Sequence, residues 1–326
     1  MFILTLGFFI LSCFFLVKSS EYLAKSLIKI SSFFRVNEFA VGFIILSVSS
    51  SLPHLFVGIA SSLGNQPLFS MGNVIGSNIL DLTLIIGIIT LLARNIKIKS
   101  KMIKKDLVYM LIILLLPVFL MVDHKFFSLV GISGIEPGIS RIDGFVLLAV
   151  FCLYIWSLFG QERLFRRTMH PNGTKSIFKN LIVFFISFFI LILSSSFVVD
   201  YAKMISIDLA ITPLLMGLFI ISIGTSLPEL IMQARAILAK KDELAVGDLI
   251  GSVVTNSTLV LGITAIISPI TGTALIFVTS LSFMAITAFI FITFAESGSG
   301  LSWKEGISLI LLYLFFLIVE IYIQSI

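Results

Sequence analysis

Two carboxylates stand in stretches that are otherwise almost wholly apolar. Glu229 sits in GLFIISIGTSLPELI, residues 217–231, and Asp81 closes GNVIGSNILD, residues 72–81. An acidic side chain within a bilayer is costly and usually functional. Polar groups gather near both. Ser77 and Asp81 are four residues apart and share one helix face, as do Ser252 and Asn256. Ser50, Ser51 and His54 fall within about one turn, as do Thr225, Ser226 and Glu229. Pro53 and Pro228 each remove an N–H and free a carbonyl one turn earlier, near Ser49 and Gly224. Hydroxyls, carboxylates and free carbonyls are hard oxygen ligands of the kind Na⁺ and Ca²⁺ accept. In lipid, a broken helix is tolerated where the freed groups line a cavity. Asn73 and Asp248 lie nearer helix starts and read equally well as caps or as ion-pathway residues.

The elements that must carry these groups are membrane helices. Of 326 residues, 58% are apolar and only 12% charged, about half the charge of an ordinary soluble domain. The mean hydropathy is +1.16. Runs such as 107–122 and 182–194 are apolar on every side, which excludes the alternation of a barrel strand. Ten helices are expected, near 2–30, 38–63, 67–92, 103–122, 142–160, 180–205, 211–238, 243–268, 271–294 and 303–325. The first apolar run has no positive region before it and is read as a retained helix rather than a signal peptide. Cys13 and Cys152 fall inside expected helices and give neither a disulfide framework nor metal-ligand spacing.

The halves repeat at an offset of 175 residues. GFIILSVSSSLPHLF at 42–56 answers GLFIISIGTSLPELI at 217–231. Gly72, Gly76, Ser77, Thr83, Leu84 and Gly87 answer Gly247, Gly251, Ser252, Thr258, Leu259 and Gly262. With five helices each, the halves would enter the membrane in opposite senses, and such inverted repeats are typical of secondary transporters. The expected architecture is therefore an all-α integral membrane protein of ten transmembrane helices in two inverted five-helix repeats. Residues 1–160 form the first repeat, 161–179 a cytoplasmic linker with a turn at Pro171-Asn172-Gly173, and 180–326 the second repeat. Lys and Arg gather after helices three, five and seven, which places those loops inside and both termini outside a cell membrane. Gly72, Gly76, Gly247 and Gly251 are read as packing residues.

The motifs SSSLPH with GNVIGSNILD, and GTSLPEL with GDLIGSVVTN, resemble the two signature repeats of the calcium/cation antiporter superfamily, above all its prokaryotic sodium/calcium exchangers. The resemblance spans the whole chain. It implies a central site for Na⁺ and Ca²⁺ as transported ions, with no separate cofactor. It implies Glu229 as the second-half carboxylate, Ser50, Ser51, Ser77, Thr225, Ser226 and Ser252 as hydroxyl ligands, and Asp81 and Asn256 as ligands from helices three and eight. It also implies a shift of helices one and six against the rest.

One position departs from the family pattern. The first-half Glu is His54, and the preceding Gly is Ser49. Asp81 and Asn256 look like an exchanged pair. Imidazole is a poor ligand for Ca²⁺. With His54 neutral, two carboxylates remain to neutralise a divalent ion; with it charged, the ion would be repelled. Histidine titrates near neutral pH, so pH-sensitive exchange, a proton as counter-ion, or a transition metal such as Mn²⁺ or Zn²⁺ are alternatives. A degenerate non-transporting membrane subunit is a third reading, against which the intact second-half motif argues. An enzyme is not expected: His54, His124 and His170 are scattered, and no phosphate loop or nucleophile motif is present.

Overall fold

The computed structural model describes residues 2–33, 46–98, 100–129, 138–162, 177–272, 274–297 and 300–324. The chain is almost entirely helical. Its helices are α1 Phe2–Phe33, α2 Leu46–Ser50, α3 Leu52–Leu63, α4 Pro67–Leu80, α5 Ile86–Ala93, α6 Lys101–Leu129, α7 Arg141–Glu162, α8 Ile177–Asp208, α9 Pro213–Leu215, α10 Ser222–Leu238, α11 Asp242–Thr255, α12 Leu261–Ile267, α13 Ala274–Ser297 and α14 Trp303–Gln324. Wide π turns fill three joints: Asp81–Ile85 between α4 and α5, Met216–Ile221 between α9 and α10, and Asn256–Val260 between α11 and α12. The charged residues expected in the linker, Arg163, Arg166, Arg167 and Lys175, lie outside the described residues, as do its Pro-Asn-Gly turn and residues 42–45 of the first repeated block.

Among the described residues, eight helical stretches are long and apolar enough to cross a bilayer: Phe2–Leu27, Pro67–Ala93, Arg141–Leu158, Phe178–Asp208, Pro213–Leu238, Asp242–Ile267, Thr279–Ser297 and Trp303–Ile323. The chain is a multi-pass membrane protein, because such helices satisfy their backbone internally where no water is available. The expected helices near 38–63 and 103–122 are not among the eight. Of the first, residues 38–45 lie outside the described residues, and the rest breaks at Ser51 because Pro53 cannot donate back to the preceding turn. The second lies within α6, a helix of 29 residues that opens on Lys101, Lys104, Lys105 and Asp106.

The two halves match in local structure. The α4–π–α5 stretch and the α11–π–α12 stretch break at the same offset, Asp81 answering Asn256. Two short antiparallel pairs tie the halves to each other: β1 Asn95–Lys97 with β4 Gly300–Ser302, and β2 Gly138–Ile139 with β3 Ile270–Thr271. In each pair, the strand just after the π-broken helix of one half meets the strand just before the last helix of the other. Those last helices start alike. The Ser140 amide donates to Asp143 at 2.8 Å, and the Ser302 amide donates to Glu305 at 2.6 Å, so an acidic residue three positions on satisfies an exposed N–H. The fifth helices correspond at an offset of 162 rather than 175, chiefly because α6 and the chain that follows it are both longer than α13 and the chain that follows that.

Packing divides the molecule into two bodies. Most buried apolar side chains form one cluster built on α4, α5, α6, α7, α11, α12, α13 and α14. A second cluster joins α1 to α8 through Phe9, Cys13, Leu16, Leu191, Val198 and Ala202, and touches the rest at Val57, Phe69, Met216 and Ile221. Glycine makes the tightest crossing possible: a Cβ on Gly72 or Gly76 would strike the backbone carbonyls of Leu214 or Leu218. These two are packing residues, as expected.

Candidate cation site

The residues singled out by type and spacing are buried, each at most 2% exposed: Ser50, Ser51, His54, Ser77, Asp81, Thr225, Ser226, Glu229, Ser252 and Asn256. Five helices and two π turns deliver them. Ser50 ends α2, Ser51 stands at the break, and His54 lies in the first turn of α3. Ser77 comes from α4, and Thr225, Ser226 and Glu229 from α10, which runs through Pro228 without a break. Ser252 comes from α11. Asp81 and Asn256 each open a π turn, a distortion that recurs at functional sites. The π turn at Asp81 packs against α10, and that at Asn256 against α3.

A continuous polar file crosses from half to half. Ser50 Oγ is 2.9 Å from Ser252 Oγ. Ser252 Oγ donates to Glu229 Oε1 at 2.7 Å. Glu229 Oε2 faces His54 Nε2 at 3.4 Å, with both side chains fully buried. On its other edge, His54 Nδ1 is 3.1 Å from Ser77 Oγ and 3.3 Å from Asn73 Oδ1. Thr225 Oγ1 closes the file, 2.8 Å from Asn73 Oδ1. Asp81 interacts electrostatically with Glu229 and with Asp248.

The hydrogens on this file follow the His54 tautomer. With its hydrogen on Nε2, His54 donates to the Glu229 carboxylate and Nδ1 accepts from Ser77 Oγ. With its hydrogen on Nδ1, His54 donates to Asn73 Oδ1, and the Nε2–Oε2 contact needs a proton of its own.

Several polar atoms are left over. Among the buried oxygens, Ser51 Oγ, Ser226 Oγ, Asp81 Oδ1 and Oδ2, Glu229 Oε2 and Asn256 Oδ1 have no hydrogen-bond partner. A buried polar atom without a partner costs free energy. Hydroxyl, carboxylate and amide oxygens of this kind are the donors a hard cation takes. Among the described residues, no three His, Cys, Asp or Glu side chains are grouped as metal ligands, so hydroxyls and amides would have to complete any coordination sphere.

The sequence profile of the sodium/calcium exchanger protein family matches residues 4–160 and 179–322. The chain belongs to that family. Among relatives of this exchanger-family chain, the inner membrane protein YrbG of Escherichia coli is 32% identical over 251 residues, 72% of this chain and 71% of the relative. The sodium/calcium exchanger MaX1 of Methanosarcina acetivorans is 27% identical over 341 residues, 95% of this chain and 96% of the relative. The solved structure of the sodium-calcium exchanger NCX_Mj soaked with 10 mM Na⁺ and zero Ca²⁺ has a TM-score of 0.64 over 97% of this chain and 98% of that one, at 24% identity, and so shares its fold. The form soaked with 100 mM Na⁺ and 10 mM Sr²⁺ has a TM-score of 0.61 at 25% identity over the same shares.

Ser50, His54, Ser77, Thr225, Glu229 and Ser252 are joined directly in this family member, with Asp81 close by. Ser51, Ser226 and Asn256 are buried on the same elements without a direct bond to the file. Asn73, which the sequence left open between cap and pathway, lies at the centre and bonds both halves. Gln233 escaped sequence reasoning altogether. It follows Glu229 by four residues, so it lies on the same helix face, and that spacing was the signal available.

Proposed function

We propose that this chain is a secondary cation antiporter that exchanges Na⁺ for Ca²⁺ by alternating access at the buried file. The observation that carries this reading is the pair of buried carboxylates, Glu229 and Asp81, each with an oxygen lacking a hydrogen-bond partner, on a file of hydroxyls that joins the two halves. The likeness to MaX1 and NCX_Mj, both named as sodium/calcium exchangers, supports the same ion pair. In this reading, ten helices cross the membrane in two oppositely inserted repeats, both termini lie outside, and the segment 161–179 lies inside. Ser50, Ser51, Ser77, Asp81, Thr225, Ser226, Glu229, Ser252 and Asn256 supply the oxygens. His54 stands where a second Glu would stand, and a cation reaching Glu229 must displace its imidazole edge.

A second reading has a proton as the counter-ion. It is favoured by the approach of His54 Nε2 to Glu229 Oε2 at 3.4 Å, where a proton and a cation would compete for the same carboxylate oxygen. A transition-metal cargo lacks comparable support among the described residues.

The test is uptake of radioactive Ca²⁺ into Na⁺-loaded vesicles containing the purified protein, diluted into Na⁺-free buffer at several pH values, beside Glu229→Ala. The Na⁺/Ca²⁺ reading requires uptake that needs the Na⁺ gradient and falls to background in the variant. Uptake driven by a pH gradient without Na⁺ would replace it with proton exchange. No uptake under either gradient would remove both.

A further inference from the structure

The polar file continues past Ser252. Asp248 lies one turn nearer the start of α11, about 9 Å along the axis from Asp242. It is 3% exposed and meets Gln233 of α10, itself 1% exposed, whose Nε2 donates to Oδ2 over a long 3.5 Å. The second oxygen of each side chain, Asp248 Oδ1 and Gln233 Oε1, is buried without a partner. Both side chains line a cavity of about 280 Å³ between α10 and α11. Exposed Arg235 and Lys241 stand at its rim; Asp242 and Glu243 in the first turn of α11 accept instead from the amides of Lys97 and Ser100. Toward the interior, Asp248 interacts with Glu229 and Ser50. One carboxylate thus separates an open cavity from the central file.

The other half has no counterpart. At an offset of 175, Asp248 answers Asn73 and Gln233 answers Gly58. Asn73 is already engaged by Thr225 and His54. The space beside Gly58 is filled: a Cβ there would lie 2.9 Å from Ser70 Oγ and 2.8 Å from Thr264 Oγ1, which hydrogen-bond each other at 2.8 Å. The file is therefore lopsided, with a buried carboxylate beside an open cavity on one face and a pair of bonded hydroxyls filling the other.

We propose that Asp248 and Gln233 form an entry station for a hard cation, Ca²⁺ or Na⁺, distinct from the central file and serving the face that carries Lys240 and Lys241. Its role in transport rests on the antiporter reading; its existence as a binding site does not. One carboxylate and one amide oxygen cannot complete a coordination sphere. The ion keeps most of its water there, binds on the order of 1 mM as sparsely charged sites do, and passes by way of Ser50 to Ser252 and Glu229. The opposite face releases ions from the central file without such a stop.

The experiment is equilibrium binding of radioactive Ca²⁺ to the purified full-length protein in detergent. Glu229→Gln should lose tight binding and keep a weak site. Adding Asp248→Asn to it should weaken the remaining site by at least about tenfold, through loss of its one charged ligand. Glu229→Gln with Gln233→Ala, which keeps the carboxylate and provides a second route if the first pair folds poorly, should weaken it several-fold. No weak site in Glu229→Gln, or a weak site indifferent to both additions, would overturn the proposal. A weak site of this kind in a protein without gradient-driven flux would remove the antiporter reading and leave the station. Flux without a weak site in Glu229→Gln would do the reverse.

Discussion

At the scale of the residue, His54 decides what competes with the cation. Its Nε2 faces Glu229 Oε2 at 3.4 Å, so a cation bound at Oε2 has to displace the imidazole edge. His54→Glu removes the imidazole and adds an anionic oxygen ligand. It should tighten Ca²⁺ by about tenfold, about 1.4 kcal/mol, in equilibrium binding to the purified protein. Unchanged affinity in that variant would show that His54 lies off the ion's path. The sequence exposed His54 because it breaks a motif, and Glu229 and Asp81 because carboxylates are expensive in a bilayer. It hid the place of Asn73, whose neighbours His54 and Thr225 lie 19 and 152 residues away. Only packing joins those.

At the scale of the element, helix extents were legible because apolar run lengths report them. The expected third helix, 67–92, is Pro67–Ala93 here. The π turns were not legible, since Asp81–Ile85 and Asn256–Val260 contain nothing that local propensity marks as a break. The strand pairs were hidden for another reason: β1 and β4 are about 200 residues apart, and each is only three residues long. What fixes the π-broken helix α4 against α9 and the π turn after it is the lack of side chains at Gly72 and Gly76. Gly76→Ala must push the Leu218 carbonyl aside, and overpacking of this kind costs about 1–3 kcal/mol. Its thermal midpoint in detergent should fall clearly. Gly7→Ala makes the same change at a position with nothing within 4 Å, and should leave the midpoint unchanged or slightly raised. Equal midpoints for both variants would mean that the α4 crossing tolerates a methyl group and does not set the helix spacing.

At the scale of the whole molecule, alternating access needs one body to move against another, and the apolar clusters show where the seam lies. The α1–α8 pair has its own core and meets the rest at α2, α3, α10 and the π turn before α10. Cys13 of α1 lies on that seam, opposite Gly224 of α10 in the GTSLPE motif. A Cβ built on Gly224 would lie 3.1 Å from Cys13 Sγ and 3.7 Å from Cys13 Cβ. Disulfides hold their Cβ atoms about 3.5–4.5 Å apart, so Gly224→Cys should oxidise with the native Cys13 and lock α1 to α10. Cys152 is exposed and should first be replaced by Ser. Reduced Gly224→Cys serves as its own control for any disturbance of the neighbouring Thr225. Gradient-driven uptake should fall to background on oxidation and return with reductant, whereas Cys13→Ser with Gly224→Cys should be indifferent to both. Equilibrium Ca²⁺ binding separates the possible causes of the loss. Binding retained in the locked form means that the site is intact and the motion is blocked; binding lost means that the lock distorts the file. Full transport by protein whose free-thiol count proves the cross-link would place the moving seam elsewhere, because α1 and α10 would then travel together.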